Sequence, residues 1–180
     1  MKIHIMGASC AGSTTLGEAL AKELSFSYFD TDQYFWQPSE IPFTLRREDE
    51  MRNIMIKNDM AKSENGIVGG SVINWGMEWL NMFDLVVFLY IPRETRMQRL
   101  KLREIERYGD KIVTDPNQAE VHQRFMDWAY EYDDNTIQGR NLKAHLDWLA
   151  NLTCPLLKIE GDTSVDERLR IVLTKIHDMQ

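Results

Sequence analysis

The chain has 180 residues, 43% of them hydrophobic, and 28 acidic against 21 basic side chains give a formal net charge of −7. That length suits one compact domain spanning 1–180. The acidic balance leaves no basic excess to displace counterions from a nucleic acid, so no such partner is expected. The first apolar run is too short for a secretory signal, and Leu85–Ile91 is far too short to cross a bilayer, so no membrane partner is expected either. The two cysteines, Cys10 and Cys154, lack metal-ligand spacing and imply a reduced, cytoplasmic setting.

Strand-like and helix-like segments alternate along the chain. The apolar run Lys2–Met6 leads into Gly7-Ala8-Ser9-Cys10-Ala11-Gly12-Ser13-Thr14, and leucines at 16, 20 and 24 predict a helix over 13–24. Further strands are predicted at Ser27–Asp30, Ile67–Gly70, Leu85–Ile91 and Leu156–Glu160. Helices are predicted over 47–62, 74–81, 93–107, 117–132, 141–151 and 164–178. Asp115-Pro116 reads as a cap followed by a first-turn proline, and Ser164 with Glu167 fits a capping box. This alternation implies a parallel sheet with helices on both faces, and such a sheet binds ligands at the carboxyl ends of its strands. Asp84, at the start of a strand, is expected at the opposite end.

The segment Gly7–Thr14 has the Gly-x-x-x-x-Gly-x-Thr spacing of a P-loop. Its glycines let the main chain turn so that amide groups, with the N-terminus of the next helix, surround a polyphosphate. Gly7, Ala8, Ser9, Cys10, Ala11, Gly12, Ser13, Thr14 and Thr15 are therefore candidate nucleotide contacts, with the Thr14 hydroxyl on a magnesium ion. Ser13 stands where the motif has lysine. Cys10 lies near a helix N-terminus, a setting that lowers a thiol's pKa, and reads as a redox group or as a filler. Asp30 and Asp32 are two apart, so an extended chain points both at the phosphates. One would organise the metal and the other orient an acceptor hydroxyl; as a polar turn, the pair instead caps the next segment.

Arg96, Arg99, Arg103 and Arg107 share a helix face. Arg99 and Arg103 are candidates for stabilising charge on a migrating phosphoryl group, while Arg96 and Arg107 read as a solvated face paired with Glu94, Glu104 and Glu106. Arg124 and Arg140 flank the following segment. Trp36 is a candidate ring-stacking residue, with Arg46 or Arg47 holding an acidic acceptor, or else the aromatics clamp the next helix. Trp75 has the same two readings. Met51, Met55 and Met97 read as core filling. His4, His122, His145 and His177 form no ligand spacing.

With these elements in this order, the chain resembles the P-loop small-molecule kinases, the group of shikimate kinase, adenylate kinase and the related nucleoside monophosphate kinases. The resemblance rests on the 7–15 loop, Asp30-Thr31-Asp32, Gly69-Gly70, and Phe88-Leu89-Tyr90-Ile91-Pro92 leading to Arg99 and Arg103. It implies the three-layer α/β P-loop NTPase fold, a five-stranded parallel sheet and a small helical lid at about 104–124. It also implies an ATP- and Mg2+-dependent phosphotransferase acting on a hydroxyl or phosphate of a small-molecule acceptor. By the same resemblance Asp30 serves the metal, Asp32 the acceptor hydroxyl, and Gly69 and Gly70 line the acceptor site. Arg99 and Arg103 stand at the lid base, Arg140 follows the lid, and Gly161 and Asp162 border the adenine. Such a protein is a monomer or homodimer. The missing lysine leaves open a nucleotide-binding regulatory protein, and a nucleoside monophosphate kinase is the third reading. Ser71, in place of a third glycine, departs from the shikimate kinase pattern.

Overall fold

A computed structural model describes residues 1–179. Five parallel strands form one sheet: β1 (Lys2–Gly7), β2 (Ser27–Asp30), β3 (Gly66–Gly69), β4 (Leu85–Tyr90) and β5 (Leu156–Glu160). Their order is β2-β3-β1-β4-β5, with Ile5 of β1 registered beside Gly69 and Val87. β1 is thus central, and the loop that leaves it at Gly7 emerges in the middle of the sheet's carboxyl edge.

Alternation along β1 explains the layers. Ile3 and Ile5 face a cluster built from Leu16 and Leu20 of α1 (Ser13–Leu24) and Val172 and Ile176 of α8 (Val165–His177). Met6 faces the other side, against Ile56 and Met60 of α3 (Asp49–Ala61) and Leu149 of α7 (Leu142–Ala150). His4 lies on this second face, stacked on Phe83 with its Nδ1 3.0 Å from the Val68 carbonyl. Burial draws its pKa down to about 4, so the imidazole packs as a neutral ring. This is the α/β three-layer arrangement implied by the sequence.

The caps form at the predicted places. Asp115 accepts from the amides of Asn117 and Gln118 at the start of α6 (Pro116–Tyr130), and Ser164 accepts from the Glu167 amide; a cap of this kind contributes about 1 kcal/mol. Between β4 and α6 run α4 (Arg93–Tyr108) and the single turn α5 (Lys111–Thr114). The Phe125 and Trp128 rings of α6 stack in parallel at 5.9 Å.

Four local expectations are corrected. Residues 74–81 do not form an α-helix: Asn74 and Gly76 have φ of +62° and +134°, and only a 3₁₀ turn at Met77–Asn81 follows. Asp30-Thr31-Asp32 is not extended, because Asp30 is the N-cap of a short helix, α2 (Thr31–Phe35). Met51 is exposed rather than core. Arg96 is 1% exposed and does not lie on a solvated face; it pairs with Asp133 just after α6 and donates to the Ile91 and Ala129 carbonyls, fixing the end of α6 to α4.

Candidate active site

A cleft of about 1900 Å³ opens over the carboxyl edge of the sheet. Its floor is the loop after β1. Gly7 is required there by a close approach, since a Cβ would lie 2.6 Å from the Leu89 carbonyl oxygen, and Gly12 by its φ of +94°. Gly7, Ala8, Ser9, Cys10, Gly12, Ser13, Thr14 and Thr15 all line the cleft. Ala11 does not. Its side chain joins the core and its carbonyl accepts from Arg168 Nη1 at 3.0 Å. Burial pushes the Cys10 thiol's pKa up against the lowering pull of Arg103, which speaks against a reactive thiolate.

Thr14 Oγ1 donates to Asp30 Oδ2 at 3.4 Å, while Asp30 Oδ1 accepts from the Asp32 amide at 2.9 Å. Burial raises the Asp30 pKa. A hydroxyl and a carboxylate on adjoining elements form a hard-oxygen donor pair of the kind magnesium prefers. Loop amides at the head of α1 suit a polyphosphate. The residues present therefore fit Mg-nucleotide, apart from the cation absent at Ser13. Asp32, the second residue of α2, also lines the cleft.

Two arginines crowd the loop instead. Arg99 Nη1 lies 3.5 Å from the Cys10 carbonyl and its Nη2 pairs with Asp162. Arg168, which the sequence reading passed over, is 3% exposed and clamps Ala11, Thr163 and Gly161 from beneath. Gly161 itself turns away from the cleft through its φ of +89° and donates its amide to the Tyr90 carbonyl, whereas Asp162 does line it. Arg103 lines the cleft beside buried Glu104 and over the Phe125 ring. Arg107 also faces the cleft, with its guanidinium 5.5 Å from the Phe43 ring centroid, so it is not a merely solvated group.

The far end of the cleft is aromatic and cationic. A bridge between Trp36 and Arg46 folds the following loop into a hairpin, with Arg47 holding the Tyr34 and Trp36 carbonyls. Arg46 pairs with Asp49 at 2.7 Å near the rim. The more enclosed cation is Arg52, 1% exposed, with its guanidinium 4.6 Å from the Trp75 centroid and 5.3 Å from that of Phe35. Its Nη2 donates to the Asn74 carbonyl, its Nη1 sits 2.7 Å from Asp49 Oδ1 but is misaligned for a hydrogen bond, and its Nε has no partner among the described residues. Arg140 packs over Trp128 at 4.7 Å with its Nε likewise unpartnered. Burial lowers the Arg140 pKa and the Asp32 charge opposes that shift. Trp36, Trp75, Gly70 and Ser71 complete this end. Gly69 does not: it packs beneath Tyr28, whose hydroxyl would lie 2.1 Å from an added Cβ.

The AAA domain family matches residues 3–123, covering the loop, both aspartates, Arg52 and the arginine helix. The chain belongs to this family. The uncharacterized protein YqaC of Bacillus subtilis (strain 168) is 42% identical over 95% of this chain and 94% of its own length. Shikimate kinase of Bacillus cereus (strain AH187) is 35% identical over 55% of this chain and 66% of the enzyme. Among solved structures, B. subtilis YorR in complex with phosphorylated GDP superposes with a TM-score of 0.59 at 14% identity, covering 98% of this chain and 96% of that one. That likeness shows the fold. Its curated relatives and structural neighbours thus include shikimate and nucleotide kinases, consistent with the P-loop small-molecule kinase group that its sequence resembled. No described helix is long and apolar enough to cross a membrane.

Proposed function

We propose that the protein transfers a phosphoryl group from Mg-ATP to a hydroxyl or phosphate of a small acidic acceptor. Bound Mg-ATP supplies the phosphoryl group and an electrophilic metal. The loop amides between Ala8 and Thr14, except that of Ala11, which donates to the Ala8 carbonyl, orient the phosphates, and Thr14 and Asp30 hold the metal side. Asp32 accepts a hydrogen bond from the acceptor hydroxyl and orients its oxygen. Arg99 and Arg103 neutralise charge on the migrating group, because phosphoryl transfer depends on positioning and electrostatics more than on covalent chemistry. Arg52 and Arg140 hold an anionic group of the acceptor between the aromatic walls. Residues 104–124 act as a lid that excludes water and suppresses hydrolysis.

The observation that carries this reading is the sharing of one cleft by the P-loop, the two aspartates and three arginines with unpartnered donors, Arg52, Arg103 and Arg140. The test is a coupled assay of Mg-ATP turnover against a panel of hydroxy acids and nucleoside monophosphates, with calorimetry of Mg-ATP binding alongside. Acceptor-dependent ADP release is expected, and absence of nucleotide binding would remove the reading. Ser13 favours one second reading, a nucleotide-binding regulatory protein. Tight Mg-ATP binding without turnover of any acceptor supports that instead.

A further inference from the structure

The kinase reading leaves one buried polar chain unused. His145 on α7 is fully buried, with its Nε2 3.2 Å from Ser71 Oγ and its Nδ1 2.6 Å from the Tyr132 hydroxyl. Ser71 follows Gly70 beyond β3 and lines the cleft, while Tyr132 lies in the 3₁₀ turn after α6 and does not. Burial, reinforced by the nearby Arg140 charge, holds the His145 pKa well below its ordinary value, so the ring is neutral.

A neutral imidazole has one donor and one acceptor nitrogen, so the chain has only two possible directions. Tyr132 is 2% exposed, and His145 Nδ1 is the one hydrogen-bond partner of its hydroxyl among the described residues. If Nδ1 carried the proton, the Tyr132 hydroxyl would accept it and its own proton would be buried without an acceptor, at the full desolvation cost of that group. The favoured direction runs from the Tyr132 hydroxyl to Nδ1, and from Nε2–H to Ser71 Oγ. Ser71 then accepts from within the protein and keeps its own proton for the cleft. Its main-chain amide is already donated to Thr31 Oγ1 at 3.2 Å, which leaves the hydroxyl as its one available donor.

We infer that Ser71 is a pre-oriented hydrogen-bond donor of the acceptor subsite, fixed by His145 and Tyr132, and that it binds an anionic or carbonyl oxygen of the acceptor. This deepens the kinase reading and rests on it for the identity of the subsite. The neighbouring unpartnered groups, Arg52 Nε and Arg140 Nε, also present hydrogens only. A carboxylate or phosphate oxygen can accept from the Ser71 hydroxyl and suits the two nearby cations, whereas an ammonium group can do neither. The same direction rules Ser71 out as a nucleophile activated by His145, because Nε2 already carries a proton.

The direction is testable without any ligand. Long-range 1H–15N correlation spectra of 15N-histidine-labelled protein at pH 7 report the tautomer of each ring, with His145 assigned from the signals that move in Tyr132→Phe and Ser71→Ala. Neutral His145 protonated on Nε2 is expected in the wild type and in Ser71→Ala, with loss of that preference in Tyr132→Phe. An Nδ1–H tautomer or an imidazolium in the wild type would overturn the inference. Acceptor kinetics with Mg-ATP, over hydroxy acids and nucleoside monophosphates beginning with shikimate, AMP and CMP, then test the contact. Ser71→Ala should raise the acceptor KM about tenfold with kcat changed less than about threefold, and Ser71→Thr should restore it. An unchanged acceptor KM in Ser71→Ala, or no turnover across the panel by the wild type, overturns the subsite role. In the second case the kinase reading fails as well, while the tautomer spectrum still reports the direction of the buried chain.

Discussion

Arg99 Nη1 lies 3.5 Å from the carbonyl oxygen of Cys10, although the two residues are 89 positions apart. The contact brings a guanidinium from the second turn of α4 to the loop that lacks its lysine at Ser13. Without a phosphate the cation rests on a carbonyl and on Asp162. With one, the stronger partner is the anion, because charge-assisted bonds to phosphate exceed those to a neutral carbonyl.

The first prediction follows from that substitution in space. Arg99→Ala is expected to lower kcat by about a hundredfold, the scale of losing one transition-state donor, with a smaller loss of Mg-ATP affinity. Ser13→Lys should recover most of that loss in the Arg99→Ala background and add little to the wild type. Equal gains from Ser13→Lys in both backgrounds, measured by steady-state kinetics, would show that the two positions act independently.

Asp32 carries the second prediction. It lies in the first turn of α2 and lines the cleft, and its backbone amide, not its carboxylate, serves the Asp30 cap. Asp32→Asn should therefore leave the fold and Mg-ATP binding nearly unchanged while lowering transfer by about 10²–10⁴-fold, the range of a lost general base. Calorimetry and turnover of the same preparation check it; equal activity in the variant ends the role.

Much of this site is legible in the chain because its signals are local. A glycine pair five apart, a strand before it, a capped helix after it, and arginines at helical spacing all lie within short windows. The residues that were missed or misread answer to tertiary contacts. Arg52 has no distinguishing neighbours in sequence, and its enclosure depends on Phe35 and Trp75 arriving from two other elements. Arg168 looks like any amphipathic-helix arginine until the fold sets it beneath Ala11. Gly69 and Gly161 share the composition of ligand-lining loops but are needed for close packing and for a left-handed turn. His145 shows nothing by spacing, since its partners at 71 and 132 meet only in the folded chain.

Arg52 gives the third prediction. Its planar guanidinium fits between two aromatic rings with a donor still unpartnered, and a lysine ammonium reproduces the charge without the plane or the fork. Arg52→Lys is expected to raise the acceptor KM about tenfold, a typical loss for a charged hydrogen bond, and to leave Mg-ATP affinity unchanged. A variant that weakens nucleotide binding as much as acceptor binding would place Arg52 outside the acceptor subsite.

The fourth prediction concerns stability and pH. Burial raises the Asp30 pKa above its ordinary 3.8, so the folded protein holds the proton more tightly than the unfolded chain does. The contribution of Asp30 to stability is therefore greatest below that ordinary value and falls as pH rises through the interval up to the raised folded value, and its penalty persists at neutral pH. Asp30→Asn removes the ionisation and keeps an Oδ1 to cap α2, so the variant should melt at or above the wild-type temperature at pH 7, with the advantage shrinking as pH falls below 4. The same variant should lose the magnesium dependence of nucleotide binding, because one of the two hard oxygens beside the loop is neutralised. Thermal melts across pH, paired with titrations of ATP with and without Mg2+, check both halves. A variant less stable at pH 7 that still binds Mg-ATP normally would make Asp30 a structural cap and no more.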